Sequence, residues 1–450
     1  MMDNKFSLLV SLIIFVSVTS YFILSQWRHP KPTTGLPLAL ILLTALEHLP
    51  GTFIHVLPWY SNEDTYHTSL GFQETTYGML AFAISFVIIS PKFRGLIRPW
   101  LKVRPRIPDW TLPQAYCYMG LILTYLLLPV FWVIPSFQSL TSSGTWLIVV
   151  GLCLGCWRAY LLKQPQNFRL WLLITLCLPL LTVATGGYAS YGSMMVVFTL
   201  SFVLVFSRPN CKTILTIVLV GLLGSSFFVN YYRDRGEIRG VVWGNQGWGS
   251  RIDVLSDTFA NFEFFDITNP QHLQAINDRL NQNILVGEAI EYMGSGNIPF
   301  AQGETITSSF LAAIPRIIWR DKPSYIGGWN LVGKYTGKAG ELAQTTSNTS
   351  IAAGLTFELY VNYGTVGVII GFFILGLITK IIDLVASYRL LSGDWQGFMS
   401  WYLPGIGIIK YQADMAELIS NTSALIVLVF ILNRVRIPQF MKGKNARVGV

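Results

Sequence analysis

Arginine is concentrated at two places in the chain. Arg233, Arg235 and Arg239 fall within Tyr231-Tyr-Arg-Asp-Arg-Gly-Glu-Ile-Arg-Gly240, and Arg316, Arg320 and Lys322 within Pro315-Arg-Ile-Ile-Trp-Arg-Asp-Lys-Pro323. A guanidinium is a planar fork that stays charged, pairs bidentately with phosphate oxygens and tolerates partial desolvation. Two such groups suit a phosphate-bearing ligand at an interface. The plainer reading is that they touch lipid head groups or pair with Asp234, Glu237 and Asp321. The segment 231–350 holds twelve acidic and ten basic residues, so the clustering is local.

Carboxylates supply the second kind of chemistry. Glu288, Glu291 and Glu304 are each a solvated helix-face charge or a general base for a hydroxyl acceptor, depending on an environment that raises the pKa. Glu358 opens an apolar run, where carboxylates are costly and default to functional candidates. Glu47, His48 and His55 also fall in an apolar stretch, followed by Glu63, Asp64 and His67. Adjacent Glu63-Asp64 offers oxygen ligands to a divalent metal, or is an ordinary acidic turn. The chain has no H-E-x-x-H, P-loop, G-x-S-x-G or dinucleotide fingerprint, which leaves ATP hydrolysis, zincin proteolysis and dinucleotide redox without support.

The elements that must position these residues are read from apolar runs. Hydrophobic residues make up 52% of the 450 and charged ones 12%, against roughly 25% charged in soluble domains. Phe6–Ser25 reads as an uncleaved anchor. Further spans are expected near 36–58, 69–90, 114–135, 143–160, 169–185, 191–207 and 213–231, and then near 358–379, 397–416 and 418–433. The expected organisation is therefore 1–230 as about eight transmembrane helices, 231–350 as one large outer loop, and 351–450 as about three helices with a basic tail.

Charge sorting orients the map. Loops 26–35, 91–113, 158–169, 207–212 and 380–395 carry 2, 6, 3, 2 and 2 Lys/Arg, and the tail from Asn433 carries 5. The opposing short loops 61–68, 136–142 and 184–191 carry none. The positive-inside rule puts the first set and the C-terminus in the cytoplasm, and 231–350 outside. The net charge of +9 is spread over membrane-flanking loops, which argues against nucleic acid. No cysteine falls in the large loop, so no disulfide staples it. Cys153-x-x-Cys156 lies in an apolar run and reads as small-residue packing.

Within the loop, Asn269-Pro270 is a helix start, followed by Leu273, Ile276, Leu280 and Ile284 at helical spacing on the membrane surface or bundle mouth. Glu288 and Glu291 then end that helix. Thr305–Ile318 is too short to span and is halted by Pro315, so it reads as re-entrant or interfacial.

The runs Glu291-Tyr-Met-Gly-Ser-Gly-Asn-Ile-Pro-Phe-Ala-Gln-Gly-Glu-Thr305, Ile314–Pro323 and Phe357-Glu-Leu-Tyr-Val-Asn-Tyr-Gly-Thr-Val-Gly367 resemble bacterial oligosaccharide repeat-unit polymerases, the O-antigen and exopolysaccharide polymerases related to O-antigen ligases. The resemblance covers roughly 182–376. It implies an all-α polytopic membrane enzyme of about eleven helices with glycosyltransferase-C-like architecture, multi-pass in the bacterial cytoplasmic membrane. Such an enzyme joins polyprenyl-pyrophosphate-linked oligosaccharides on the outer face, with no metal and no cofactor. Its implied partners are that lipid-linked substrate, membrane lipids, a chain-length regulator and a flippase. Arg316 with Glu291 or Glu304 would be catalytic, and Arg233, Arg235, Arg239, Arg320, Lys322 and Glu358 would hold substrate. The family's Arg-x10-Gly motifs have counterparts in Arg233–Gly244 and Arg316–Gly327. Relatives often carry an arginine after the glycines of Thr185-Gly-Gly-Tyr-Ala-Ser-Tyr; this chain has none. Loop tryptophans such as Trp243 and Trp248 offer faces for sugar rings or membrane anchoring. The rival readings are a ligase, a metal-dependent glycosyltransferase using Glu63-Asp64, and a flippase for the same lipid-linked sugars.

Overall fold

The computed structural model describes residues 2–28, 33–97, 105–131, 135–207, 211–314, 319, 321, 328–338, 353–410 and 413–434. Arg316, Arg320 and Lys322 lie outside the described residues. Every regular element among the described residues is a helix, and eight helical stretches are long and apolar enough to cross a membrane.

The first helices are α1 (Met2–Arg28), α2 (Leu36–Val56) and α3 (Thr65–Ile97). Then α4 (Thr111–Leu121) passes through a π-helical stretch at Ile122–Leu127 into α5 (Leu128–Phe131). The expected loop at 136–142 is instead helical, α6 (Pro135–Ser142), leading into α7 (Gly144–Leu161). The expected span 169–185 is two helices, α8 (Pro165–Leu176) and α9 (Leu178–Gly186), each with proline in its first turn, the position that tolerates it. The tenth helix, α10, is Ala189–Phe206.

The largest departure from the sequence reading is at Tyr231. The helix that contains the last expected span continues past it; α11 runs without interruption from Cys211 to Trp243, carrying Arg233, Arg235 and Arg239 on helix. Nothing from Tyr231 to Trp243 stops a helix: there is no proline, and its two glycines cost about 1 kcal/mol each rather than breaking it. Next come α12 (Trp248–Ala260) and α13 (Pro270–Arg279), the latter capped as expected by the Asn269 side chain accepting from Gln271 N. The apolar stripe does not continue in one helix. Leu280 leaves helical geometry (φ −119°, ψ 33°), so Glu288 and Glu291 belong to a separate α14 (Asn283–Gly294). The loop closes with α15 (Glu304–Ala312) and α16 (Gly328–Thr336).

The last three helices are α17 (Leu355–Ser392), α18 (Trp395–Ile408) and α19 (Met415–Arg434). A single apolar core joins α1–α4, α7, α8, α10 and α17–α19 around side chains such as Phe15, Phe72, Phe198, Phe372 and Tyr402. Helix α3 is central, packing on α1, α2, α14 and α17. Its approach to α14 is close: Gly71 faces the Asn283 carbonyl and Gly287 faces the His67 carbonyl, with no room for a Cβ at either. Small residues let helix backbones meet this way in apolar surroundings. The α13 stripe meets the bundle mouth, Leu273 and Ile276 packing on Ile54 and Leu57.

Candidate functional site

Because α11 continues past its apolar part, its three arginines project at fixed helical spacing, and Arg239 reaches the end of α9. Their partners differ. Arg233 donates to both Asp234 oxygens (2.8 and 2.9 Å), to Glu263 Oε1 (3.0 Å) and to the Asn261 carbonyl (3.0 Å). The hydrogen bond from Arg233 holds the Asp234 carboxyl below its usual pKa. This guanidinium is filled from within the protein. Arg235 has no carboxylate within ion-pair distance among the described residues. It lies over the Tyr232 ring at 5.4 Å, with Arg279 over the same ring at 5.8 Å. Burial, then the Arg279 and Arg239 cations, lowers its pKa.

Arg239 lies against a pair of touching aromatic rings, 5.0 Å from Tyr188 and 5.0 Å from Trp243, whose centroids are 5.6 Å apart. Its Nε donates to the Gly187 carbonyl (3.3 Å), which also accepts from Tyr231 Oη (2.8 Å), while Trp243 Nε1 donates to Gly186 O (3.2 Å). The glycine turn after α9 adopts left-handed backbone at Gly187 (φ 72°), turning its carbonyl to α11. An arginine is therefore present at the 184–191 turn after all, delivered by α11 rather than by the turn's own sequence.

From Tyr188 the row of rings and cations continues. Tyr188 meets Tyr191 edge-on at 5.9 Å, and buried Lys410 lies 5.3 Å over Tyr191. Lys410 pairs with Glu417, whose backbone N–H donates to Asp414 Oδ1 at 2.8 Å. The neighbouring Met415 N donates to Glu358 Oε2 at 2.5 Å. Side chains thus link Arg239 to Glu417, and the backbone of 414–417 carries the connection on to Glu358. Glu358 is fully buried, with Ser309 Oγ 3.5 Å from its other oxygen.

Helix α17 breaks just beyond Glu358. Tyr363 (φ −142°, ψ 19°) and Gly364 (φ 61°, ψ −155°) leave the helical region, the second in a conformation that only glycine adopts without strain. Residues 301–303 dock on the end of the preceding turns. Ala301 N donates to Val361 O (2.9 Å), Gln302 N to Asn362 O (3.2 Å), and Gly303 N to Asn362 Oδ1 (2.9 Å). Asn362 Nδ2 donates to Thr305 Oγ1 and to Glu358 O, both at 2.7 Å. Beyond the break, Thr365 Oγ1 donates to Glu74 Oε1 (2.7 Å).

The remaining carboxylates are spread out. Glu304 opens α15, where the helix N-terminus favours an anion; its side chain is 69% exposed and Lys334 stands 4.0 Å away. Glu291 binds His67 Nε2 at 2.5 Å, so His67, in the first turn of α3, is turned toward α14. Glu288 binds Lys338 at 2.5 Å. Among the described residues, no three His, Cys, Asp or Glu side chains converge as a set of metal ligands.

A family model described as a domain of unknown function, DUF8712, matches residues 114–397, more than half of the chain. The chain belongs to this DUF8712 family. No curated protein and no solved structure matches it. The matched region takes in Tyr188, Tyr191, the α11 arginines, Glu291, Glu304, Glu358 and Asn362. It stops short of Lys410, Asp414 and Glu417.

One structural feature escaped the sequence reading: a buried polar seam that bolts α13 and α14 to α2 and α3. Asn283 Nδ2 donates to His48 O (3.0 Å), Thr52 Oγ1 (3.1 Å) and Asn281 Oδ1 (3.0 Å), and Asn283 Oδ1 meets His48 Nδ1 (2.5 Å). Asn281 Nδ2 donates to Thr68 Oγ1 (3.0 Å) and Asn277 Oδ1 (2.9 Å), and Asn277 Oδ1 meets His55 Nε2 (2.8 Å). The signal was the run Asn277, Asn281, Asn283 facing His48 and His55, polar residues with no chemistry of their own.

Proposed function

We propose that this chain is a membrane glycosyltransferase that polymerises polyprenyl-pyrophosphate-linked oligosaccharides on the outer face of a bacterial cytoplasmic membrane. In this reading α3, α11 and α18 also span, giving eleven spans in a glycosyltransferase-C-like arrangement with a cytoplasmic C-terminus. The single observation that carries it is Arg239 seated against the Tyr188–Trp243 ring pair at the head of the row leading to Lys410. Aromatic faces suit sugar rings, and fixed cations suit a diphosphate.

The chemistry follows from what the substrate needs. An acceptor hydroxyl attacks the anomeric carbon of a lipid-linked sugar; the new glycosidic bond forms as the bond to pyrophosphate breaks, and lipid pyrophosphate leaves with the electron pair. Preorganised cations stabilise charge developing on that leaving group. Arg239 and Arg235 take this role, and Arg316, Arg320 and Lys322 are assigned to it by residue type; Lys410, buried over Tyr191 and paired with Glu417, holds the far end of the row in place. Glu304, exposed at the first turn of α15, accepts the acceptor's proton. Glu291, held by His67, is the second carboxylate for that role. Arg233, filled by Asp234 and Glu263, and Glu358, buried against Met415 and Ser309, act through position: each fixes an element that carries a contacting group.

Deleting the gene and examining surface glycan tests the reading. Single repeat units displayed on the outside, with long chains restored by the wild-type gene, support it; unchanged chain lengths sink it. A flippase for the same lipid is the second reading, favoured by the break at Tyr363–Gly364, since interrupted helices line substrate paths in transporters. Deletion would then leave single units on the cytoplasmic face.

A further inference from the structure

We infer that α12 is an interfacial helix whose apolar sector is seated in the outer-leaflet head-group region, fixing the depth of the Arg239 site relative to the bilayer. The inference rests only on the membrane-spanning helices, and stands or falls separately from the glycosyltransferase reading.

Three sectors divide α12. At 3.6 residues per turn, Arg251, Val254, Leu255 and Thr258 share one side, and it faces protein: Val254 and Leu255 pack on Val183, Ile238 and Val242. Trp248, Ile252 and Phe259 fall within about 40° of one another on a second side. They are 58%, 57% and 48% exposed, and none of them belongs to an apolar cluster among the described residues. Asp253 and Asp257 project from a third side, more than 90° from that apolar sector. An aqueous helix does not segregate a tryptophan, an isoleucine and a phenylalanine on one uncovered side with its acids turned away. A helix lying in a bilayer surface does.

Continuity identifies the occupant as lipid. Helix α12 packs on α9 and α11, and the outer surface of these two helices is apolar and uncovered: Leu180 and Leu181 on α9, Leu222 and Leu223 on α11. Segment 165–186, containing α9, is long and apolar enough to cross a membrane. Arg251 bolts α12 to its loop end, donating to Ala184 O (3.3 Å) and to Gln246 O (3.1 Å) while its guanidinium lies 5.3 Å over Trp248. The exposed ring of Trp248 therefore continues the lipid-facing surface just where that surface leaves the hydrocarbon, the depth at which tryptophan accumulates.

The test uses the full chain in phospholipid vesicles, with Cys177→Ser to remove the thiol exposed among the described residues and Cys211→Ser beside it. Ile252→Cys, Phe259→Cys, Asp253→Cys and Asp257→Cys are each labelled with a water-soluble maleimide, against the parent chain as background and full labelling in denaturant as the total. Asp253→Cys and Asp257→Cys are expected to react at least tenfold faster than Ile252→Cys and Phe259→Cys. Equal rates at all four positions would overturn the proposal. Loss of the protection on diluting the protein in lipid would also overturn it, assigning the surface to a second copy of the chain. Quenching by brominated phospholipid gives an independent reading: it should fall in Trp248→Phe relative to wild type, and an unchanged quench contradicts the seating of Trp248 in lipid.

Discussion

Asn362 holds the residues on either side of Glu304. Its Oδ1 accepts from Gly303 N at 2.9 Å and its Nδ2 donates to Thr305 Oγ1 at 2.7 Å. The carboxylate proposed to take the acceptor's proton is therefore positioned by a side chain on another helix, just before α17 breaks. Asn362→Ala orphans buried groups worth about 1–3 kcal/mol each. The expected result is a lower thermal midpoint and faster amide exchange at 301–305, with turnover reduced further than stability alone explains. Unchanged exchange there would remove the positioning role.

Arg239 and Arg233 separate chemistry from structure, six residues apart on one helix. Arg239→Ala removes a cation seated against two touching rings, and loss of a preorganised charge of this kind costs on the order of a hundredfold in turnover. Arg233→Ala removes a half-exposed ion pair worth less than about 1 kcal/mol. Chain-length ladders from cells carrying each variant should show single units for the first and near-normal polymer for the second. The reverse pattern would move the site to the Asp234–Glu263 side.

The Arg233–Asp234 pair also sets a pH dependence. The Asp234 pKa is lower in the folded state than unfolded, with the Arg233 hydrogen bond its main cause. Its contribution is complete above the unfolded carboxylate pKa and is lost as pH falls through the depressed folded value. Asp234→Asn should therefore destabilise at neutral pH, with the difference from wild type shrinking under acid. Thermal melts of both proteins across pH measure this; a constant gap contradicts it.

The Asn283 seam predicts a mechanical coupling. Asn283→Leu leaves His48 and Thr52 facing an apolar group, at about 1–3 kcal/mol per orphaned partner. Limited proteolysis should then cut within 280–295 while the spans survive. Resistance equal to wild type would show that the Gly71 and Gly287 contacts alone hold α14 in place.

Much of this fold was legible as local pattern. Eight of the expected apolar runs are helices long and apolar enough to cross a membrane, and Asn269-Pro270 gave the start of α13, because both are set by nearest neighbours. Errors came where a boundary depends on distant partners. Tyr231 read as the end of a span because polarity begins there, yet the chain stays helical to Trp243, where Tyr188 and the Gly186–Gly187 carbonyls receive its side chains. Leu280 read as one more apolar position, yet its carbonyl accepts from Gly51 N and the helix stops. Of the site, Arg239 and Glu358 were visible by residue type. Tyr188, Lys410 and Asn362 were not, since ring stacking and a bracketed turn are relations between helices far apart in sequence.

The most direct measurement is turnover by the purified protein in liposomes given a polyprenyl-pyrophosphate-linked oligosaccharide, with products resolved by mass spectrometry. The account predicts a ladder of lengthened chains and released lipid pyrophosphate from wild type, and only the starting unit from Arg239→Ala and Glu304→Gln. A full ladder from both variants, or no lengthened product from active wild-type preparations, would contradict it.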